Sequence, residues 1–499
     1  MVVNSKGKCY NVPSNGSVPL RTGTQSSWLY DTGMTAGRHR KPRLKAVSKR
    51  IRSLRPVQIL TLGFLSVVLI GAGLLCIPFA TVKEGTDITF MDALFTATSA
   101  VCVTGLTVVN TGLVFTLFGK LVILSLIQIG GLGFMTIASI LFMVVGKRIS
   151  LKERLLIQES FNTDSLQGMV RLVRNAVAVT FAVEGIAALI LCARLIPEYG
   201  VGKGIFHAVF LSISGFCNAG FDAFGFENSI EHYMTDPVIN LVIMALITLG
   251  GMGFAVIMDV LRNRRFSKLM LHSRVVLLMS LGLFLTGFIL TALFEWNNPG
   301  TLAKPDVGPG GKVLASAFQS VTLRTAGFDT LGQGDLTPAM QLVSIILMFI
   351  GASPASTGGG IKTTTFFVVM LSVIATVRQR QDYNYHHRRL AEGLVKRALA
   401  LATLALSLVI MDTVVISAIE YWSGGQENMV DILFEVVSAF GTVGLSTGIT
   451  AGLHDVAKFM LIITMFCGRV GLLTVSMALS GGGNKASAVR YPEDRMMVG

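Results

Sequence analysis

Four short segments of this chain end in a glycine: Val103-Thr104-Gly105, Asn218-Ala219-Gly220, Thr325-Ala326-Gly327 and Thr442-Val443-Gly444. The side chains differ from one segment to the next and only the glycine is common to all, so any shared chemistry has to come from the backbone. Carbonyl oxygens held in line can replace the hydration shell of a dehydrated cation. Glycine permits the backbone angles that keep successive carbonyls turned to one side. These twelve residues are therefore the expected ion-coordinating set for a cation. Arg324 precedes the third segment. A guanidinium facing the ion would repel it, so this side chain is expected to turn away, with an acidic residue as a suitable partner.

Each glycine segment closes a longer unit that recurs four times: MDALFTATSAVCVTGL, FHAVFLSISGFCNAGF, LASAFQSVTLRTAGF and ILFEVVSAFGTVGL. The apolar stretch in front of each glycine is too short to cross a bilayer as a helix, since a crossing needs about 20 residues. It has to enter the membrane and return. Non-helical backbone at membrane depth survives only where it lines water or is buried in protein, and four such turns around one axis make a pore. The short helices would direct their negative C-terminal ends at its centre, which again favours a cation. A second glycine marker follows in IQIGGLG, ITLGGMG, FIGASP and FCGRVG, at Gly130, Gly250, Gly351 and Gly468. Small residues for close helix packing and a functional role both remain open for it.

The elements that position these turns are legible as uncharged stretches. Val57 to Phe79, Leu121 to Gly146, Pro237 to Met258 and Val275 to Phe294 are clean spans, and four more carry one ionisable residue each: Ala176 to Ala193 (Glu184), Ala339 to Val377 (Lys362), Ala398 to Ile419 (Asp412) and Phe459 to Leu479 (Arg469). The expected fold is an all-α membrane protein, with eight transmembrane helices arranged as four span, pore-helix, span repeats around a central, potassium-channel-like pore. The boundaries are a basic, largely disordered tail over residues 1–56, pore repeats over 57–146, 166–261, 270–378 and 393–480, and a C-terminal tail over 481–499. Composition agrees: 52% of the 499 residues are hydrophobic and 14% are charged, against roughly 25% charged in soluble domains.

Most of the 42 lysines and arginines lie in the N-terminus, residues 147–175, 259–274 and 378–397, and the C-terminal tail, whereas the connections 80–120, 194–236, 295–338 and 420–458 are net acidic. The basic side is cytoplasmic by the Lys/Arg rule, which puts both termini inside a multi-pass plasma-membrane protein. The net charge of +14 is then mostly topology, and no nucleic-acid partner is expected. The run Arg38 to Arg55 suits anionic lipid headgroups. Six cysteines without a CxxC pair read as small apolar residues and not as a disulfide or zinc framework.

Two features sit below the glycine segments. The stretch Ala339 to Val377 is nearly twice the length of one crossing, and its middle is GASPASTGGGIK. Proline removes a backbone donor and glycine lowers helix stability by about 1 kcal/mol relative to alanine. Residues Gly351, Ser353, Pro354, Ser356, Thr357, Gly358, Gly359 and Gly360 are expected to leave the helix as a gating loop, with Lys362 at its inner end; a packing kink is the plainer alternative. Arg469 is expected to face the interior, either in an ion pair with Asp412 or Glu184 or as a positive constriction under the glycines.

Together the four units, the TGL, AGF, AGF and VGL segments, the interrupted GASPASTGGGIKTTT, Arg469 and the closing YPEDRMMVG resemble the membrane subunit of Ktr-type potassium transporters, within the Trk/Ktr/HKT superfamily, from about residue 50 onward. The absence of two extra apolar spans before Val57 places it with Ktr and not Trk. The resemblance implies potassium uptake stimulated by sodium, a homodimer in which each chain has its own pore, and a cytosolic ring of nucleotide-binding regulatory subunits, for which the basic stretches Arg262 to Arg274 and Arg378 to Arg397 are candidate surfaces. No complete TVGYG occurs, but sodium-selective relatives carry serine where this chain has Gly105. A sodium- or ammonium-permeable transporter of the same fold is the alternative.

Three motifs point elsewhere and fail on context. GLSTG at Gly444 to Gly448 fits a serine-hydrolase elbow but has no strand before it, GQGD at Gly332 to Asp335 falls in a connection, and GPGGKV lacks the Ser/Thr that a P-loop needs. No enzymatic activity is expected.

Overall fold

The computed structural model describes residues 2–3, 9–10, 56–82, 88–133, 136, 169–226, 229–380, 382–386 and 388–479. Contacts divide the chain into Met1–Ser53 and Leu54–Gly499. In the first unit Val2–Val3 pairs antiparallel with Cys9–Tyr10. The rest of the expected N-terminal tail, including Arg38 to Arg55, lies outside the described residues, as do the expected span end at 137–146, the connection 147–168 and the closing YPEDRMMVG.

The second unit is helical. Four of its helices are long and apolar enough to cross a membrane, over Val57–Leu75, Val173–Tyr199, Leu271–Glu295 and Glu392–Ser423. Their outward faces carry leucine and isoleucine in the open, such as Ile70 (63% exposed) and Leu189 (73%), which is the pattern of a helix whose solvent is lipid. Each is followed by a shorter, more buried helix: Phe90–Cys102, Val201–Cys217, Pro309–Thr322 and Met429–Gly441. A capping box starts the first of these. The Thr89 hydroxyl accepts from the Asp92 amide, and the Asp92 carboxylate accepts from the Thr89 amide, both at 3.2 Å, which satisfies two of the free donors of a helix N-terminus.

The expected second span of each unit differs from the sequence reading, which placed a break only in the third. Leu117–Leu132, Pro237–Met252 and Asp455–Val470 each stop at a glycine with positive φ: Gly133 (82°), Gly253 (90°) and Gly471 (96°). Left-handed glycine is a common helix terminator. The chain then restarts at a steep angle, 97° at Gly253 and 100° at Gly471. The signal is a Gly-x-x-Gly pattern (130 to 133, 250 to 253, 468 to 471), and in the third copy Pro354 stands in the place of the second glycine. There the helix Pro338–Phe349 ends at Ile350, and Thr363–Val377 begins only after a non-helical stretch. Among the described residues this makes four spans, or six if each bent pair is one.

The short helix Phe90–Cys102 packs against Asp455–Val470, and Leu117–Leu132 packs against Val201–Cys217. First and last copies are thereby neighbours, as the adjacent first and second copies are.

Candidate functional site

The four short helices converge with a common ending. Val103 (φ 57°), Asn218 (59°) and Thr442 (51°) are left-handed C-caps of their helices, and Thr325 (65°) has the same backbone sign. Non-glycine residues rarely adopt this conformation, and its recurrence in all four copies marks a shared backbone trace. In three copies the next amide returns to the helix: Thr104 to Ser99 O, Ala219 to Ser214 O and Val443 to Ser438 O, each at 2.8 Å. The third copy departs because its helix ends early, at Thr322, and Ala326 donates to Thr322 O at 3.1 Å.

The glycines close a ring. A Cβ on Gly105 would lie under 3.0 Å from Ala219 O, one on Gly220 from Ala326 O, one on Gly327 from Val443 O, and one on Gly444 from Thr104 O. Each glycine thus abuts the carbonyl of the residue before the next glycine, and the fourth returns to the first. All four have positive φ, from 68° to 98°, so both space and torsion demand glycine here. The twelve candidate residues are buried and lie together. Asn218 and Thr325 are hydrogen-bonded at 3.2 Å, tying the second copy to the third. Ser99 and Ser438 accept from the amides of Gly105 and Gly444 at 3.1 Å. The sequence reading missed these serines, although Ser99, Ser214 and Ser438 share one register relative to the glycines.

In three of its four copies the second glycine marker is explained by packing, and in the third copy Gly351 instead lies against Gly359 O of its own loop. A Cβ on Gly130, Gly250 or Gly468 would fall under 3.0 Å from Val101 O, Phe216 O or Phe440 O, at the end of a short helix. Close approach to the helix that carries the glycine segment leaves no room for a side chain.

The non-helical stretch between Phe349 and Thr363 is tied by an Ile350 to Ile361 parallel bridge and lies against the same segments. A Cβ on Gly358 would collide with Thr325 Oγ1, and the Gly359 amide donates to Thr442 Oγ1 at 3.0 Å. Thr357 Oγ1 donates to Phe216 O (3.2 Å), and the Ser353 and Thr357 amides donate to Gly251 O and Gly250 O (3.1 and 3.2 Å). Lys362 Nζ folds back on Gly358 O at 2.7 Å. Arg469 donates to Thr357 O, Gly130 O and Gly131 O. The ion pair held open for it is not formed: Asp412 accepts from Thr464, and Glu184 from Gln128 at 3.2 Å. Arg324 does turn away into the surrounding helices, where its guanidinium donates to Ser280 Oγ (3.2 Å) and not to an acid.

On the other side of the ring, a cavity of about 280 Å³ is lined by Gly105, Gly220, Gly327 and Gly444 together with Asp222 and Asp329. Burial pushes the Asp222 carboxyl above the ordinary range despite a 3.1 Å hydrogen bond from the Phe224 amide. Burial pushes Asp329 well above it, although Gln333 Nε2 donates at 2.5 Å. No group of three or more His, Cys, Asp or Glu suited to a metal ion occurs among the described residues.

Residues 39–482 match the family TrkH, described as cation transport protein. Over 444 residues the chain is 42% identical to the Ktr system potassium uptake protein B of Bacillus subtilis, covering 89% of this chain and 97% of that one. Over 458 residues it is 39% identical to the potassium/sodium uptake protein NtpJ of Enterococcus hirae, covering 91% and 99%. The crystal structure of the potassium transporter TrkH from Vibrio parahaemolyticus superposes with a TM-score of 0.63 at 20% identity, over 84% of this chain and 85% of that one, which fixes the fold.

Proposed function

The chain belongs to the TrkH family of cation transport proteins, as a membrane subunit of the Ktr/Trk type and not an enzyme, and we propose that it takes up potassium across the plasma membrane through the ring of four glycine segments. The observation that carries this reading is the closed sequence of contacts Gly105, Gly220, Gly327, Gly444 and back to Gly105. Four units lend one strand each to a common axis, and the carbonyls of Thr104, Ala219, Ala326 and Val443 stand beside the neighbouring glycines. Such a ring replaces the water shell of a cation with protein oxygens, and potassium is the substrate it holds. The buried short helices act as pore helices, with their C-terminal partial charges directed at the ion.

The loop from Ile350 to Lys362 acts as the gate under this filter, and Arg469 as a positive residue beside it. Both termini are cytoplasmic, the molecule works as a homodimer, and a cytosolic ring of nucleotide-binding subunits moves the gate through the helix Thr363–Val377. Sodium stimulates transport. The name of the Bacillus relative, a protein of a Ktr system, supports a partner component. The hairpin Asn384–Tyr385 with Arg388–Arg389 offers an exposed basic docking point, and charge reversal of Arg388 and Arg389 should lower recovery of the ring by co-purification. A sodium-permeable variant of the same function is the second reading, favoured by the potassium/sodium name of the Enterococcus relative.

The deciding experiment is ion uptake by potassium-transport-deficient cells, with potassium and sodium varied independently, for wild type and Gly105→Ser. Wild type should prefer potassium, and the serine variant should discriminate less. An unchanged flux ratio in Gly105→Ser and in Gly220→Ser would remove the filter assignment.

A further inference from the structure

Glu435 is 1% exposed, in the short helix Met429–Gly441 behind the fourth glycine segment. No ion pair neutralises it among the described residues. A buried carboxylate without a counter-charge is expensive unless donors replace its water. Three do so here. Ser446 Oγ donates to Oε1 at 2.5 Å, the Thr447 amide donates to the same oxygen at 3.1 Å, and Thr450 Oγ1 donates to Oε2 at 2.9 Å. All three donors belong to the turn that leaves Gly444, and Ser446 Oγ also accepts from the Gly448 amide at 2.9 Å. The GLSTG motif thereby acquires a structural purpose: its serine is a ligand of Glu435.

Counting back equally from each glycine, the other copies hold Thr96, Leu211 and Phe318 at this register. Thr96 Oγ1 has no partner, and leucine and phenylalanine can have none. The third copy reaches its own turn with neutral amides, Gln319 to Gln333 at 2.7 Å and Gln333 to Asp329 at 2.5 Å. At this register, in the short helix behind the glycine, only the fourth copy carries an acid.

We propose that Glu435 is a positioning residue for ion selection, whose carboxylate oxygens fix the turn Ser446 to Thr450 and through it the carbonyls of Val443 and Gly444. This rests on the filter reading above. The inner end of the segment is already fixed by Ser438, which accepts from the Gly444 amide, and by Thr442 against the Gly359 amide. Glu435 supplies the outer anchor, and a strand held at both ends keeps its carbonyls at the spacing one ion size requires.

The test measures potassium and sodium uptake per unit of membrane-inserted protein for Glu435→Ala, Glu435→Gln, Ser446→Ala and Gly444→Ser in the full chain. Glu435→Ala should lower the potassium/sodium flux ratio by roughly threefold to tenfold, the range of one net hydrogen bond. Glu435→Gln keeps an acceptor for Ser446 and the Thr447 amide and should stay within about twofold of wild type. Adding Ser446→Ala to Glu435→Ala should lower the ratio no further, since both remove the same anchor. If Gly444→Ser lowers the ratio while Glu435→Ala leaves it at the wild-type value, the anchor is refuted and the filter stands. A ratio that falls as far in Glu435→Gln as in Glu435→Ala also refutes it, because charge and not hydrogen bonding would then be responsible. If Gly444→Ser changes nothing, the filter assignment falls and the anchor with it. Should Glu435→Ala fail to reach the membrane, Ser446→Ala and Thr450→Val decide, and wild-type ratios in both overturn the proposal.

Discussion

Arg469 of the helix Asp455–Val470 donates to the main-chain carbonyl of Thr357, so the fourth repeat holds the loop that interrupts the third. The same guanidinium reaches Gly130 O and Gly131 O, at the C-terminal end of Leu117–Leu132, where a helix concentrates negative partial charge. Three units are thus joined by one side chain, and the half-buried cation is solvated by carbonyls instead of a carboxylate.

From this arrangement Arg469→Ala should release the loop and remove a positive charge from beside the ion path. Uptake of potassium should rise several-fold per inserted protein. Arg469→Lys keeps the charge but reaches fewer carbonyls, so its uptake should lie between the two. The measurement is initial-rate uptake normalised to membrane-inserted protein, and a rate for Arg469→Ala at or below wild type would contradict the release.

Gly468 and Gly73 give a paired test of packing. A Cβ on Gly468 would fall under 3.0 Å from Phe440 O, which is backbone and cannot swing aside, whereas Gly73 has nothing within 4 Å. Gly468→Ala should destabilise by about 1–3 kcal/mol, the usual cost of overpacking. Gly73→Ala lies within the helix Pro56–Leu75 and should be neutral or slightly stabilising. Thermal unfolding in detergent, followed by tryptophan fluorescence, separates the two.

Much of this architecture was readable because lipid is a demanding solvent. Long uncharged stretches such as Val275 to Phe294 had to be helices, and Leu271–Glu295 is one. The glycines of the four segments were visible because backbone chemistry leaves glycine as its only common trace. The breaks at Gly133, Gly253 and Gly471 were not foreseen, since a single glycine in an apolar run reads equally as a packing site. Only the left-handed torsion separates a terminator from a packing glycine, and torsion is invisible in the residue type. The partners of Arg469 were missed for a related reason. Sequence displays acids such as Asp412 as candidates but does not display main-chain carbonyls, which every residue has. Glu435 was hidden because its ligands follow it in the chain by a turn whose geometry the sequence does not specify.

The mouth acids predict a pH dependence. Asp329 and Asp222 have carboxyls raised by burial above the usual carboxylate range, near 3.9 for aspartate. The groups around them are Gln333 and Glu231 for Asp329, and Ser229, the Phe224 amide and Lys120 for Asp222. A raised carboxyl is neutral at a pH where an ordinary one is charged, so the mouth gains negative charge only as the pH climbs above the ordinary range. Apparent affinity for potassium should therefore increase with pH through that window, and Asp329→Asn should flatten the increase. A concentration series of potassium at several external pH values reads both effects. The same sign governs stability: protonation favours the fold at these two sites, so their burial costs more as pH rises through the raised value.

The loop supplies the last prediction. Between the ends joined at Ile350 and Ile361, it presents Gly358 and Gly359 to Thr325 and Thr442, at contact distances where any side chain would collide. Small residues let the loop lie tight under the glycine ring, where the Gly359 amide donates to Thr442 Oγ1, and Lys362 Nζ braces the loop internally on Gly358 O. In the proposed gate, a loop so fastened would block the path with backbone alone. Its release requires breaking a few bonds, each worth about 0.5–1.5 kcal/mol net, which is within reach of a partner that pulls on Thr363–Val377. Deleting Ser356 to Gly360 removes the part that meets Thr325 and Thr442 while leaving both helices in place. Potassium uptake should rise and lose most of its dependence on the regulatory partner, measured in cells with and without that partner and normalised to inserted protein. A packing kink predicts the opposite: the shortened chain would strain both helices, conduct less than wild type and keep its partner dependence.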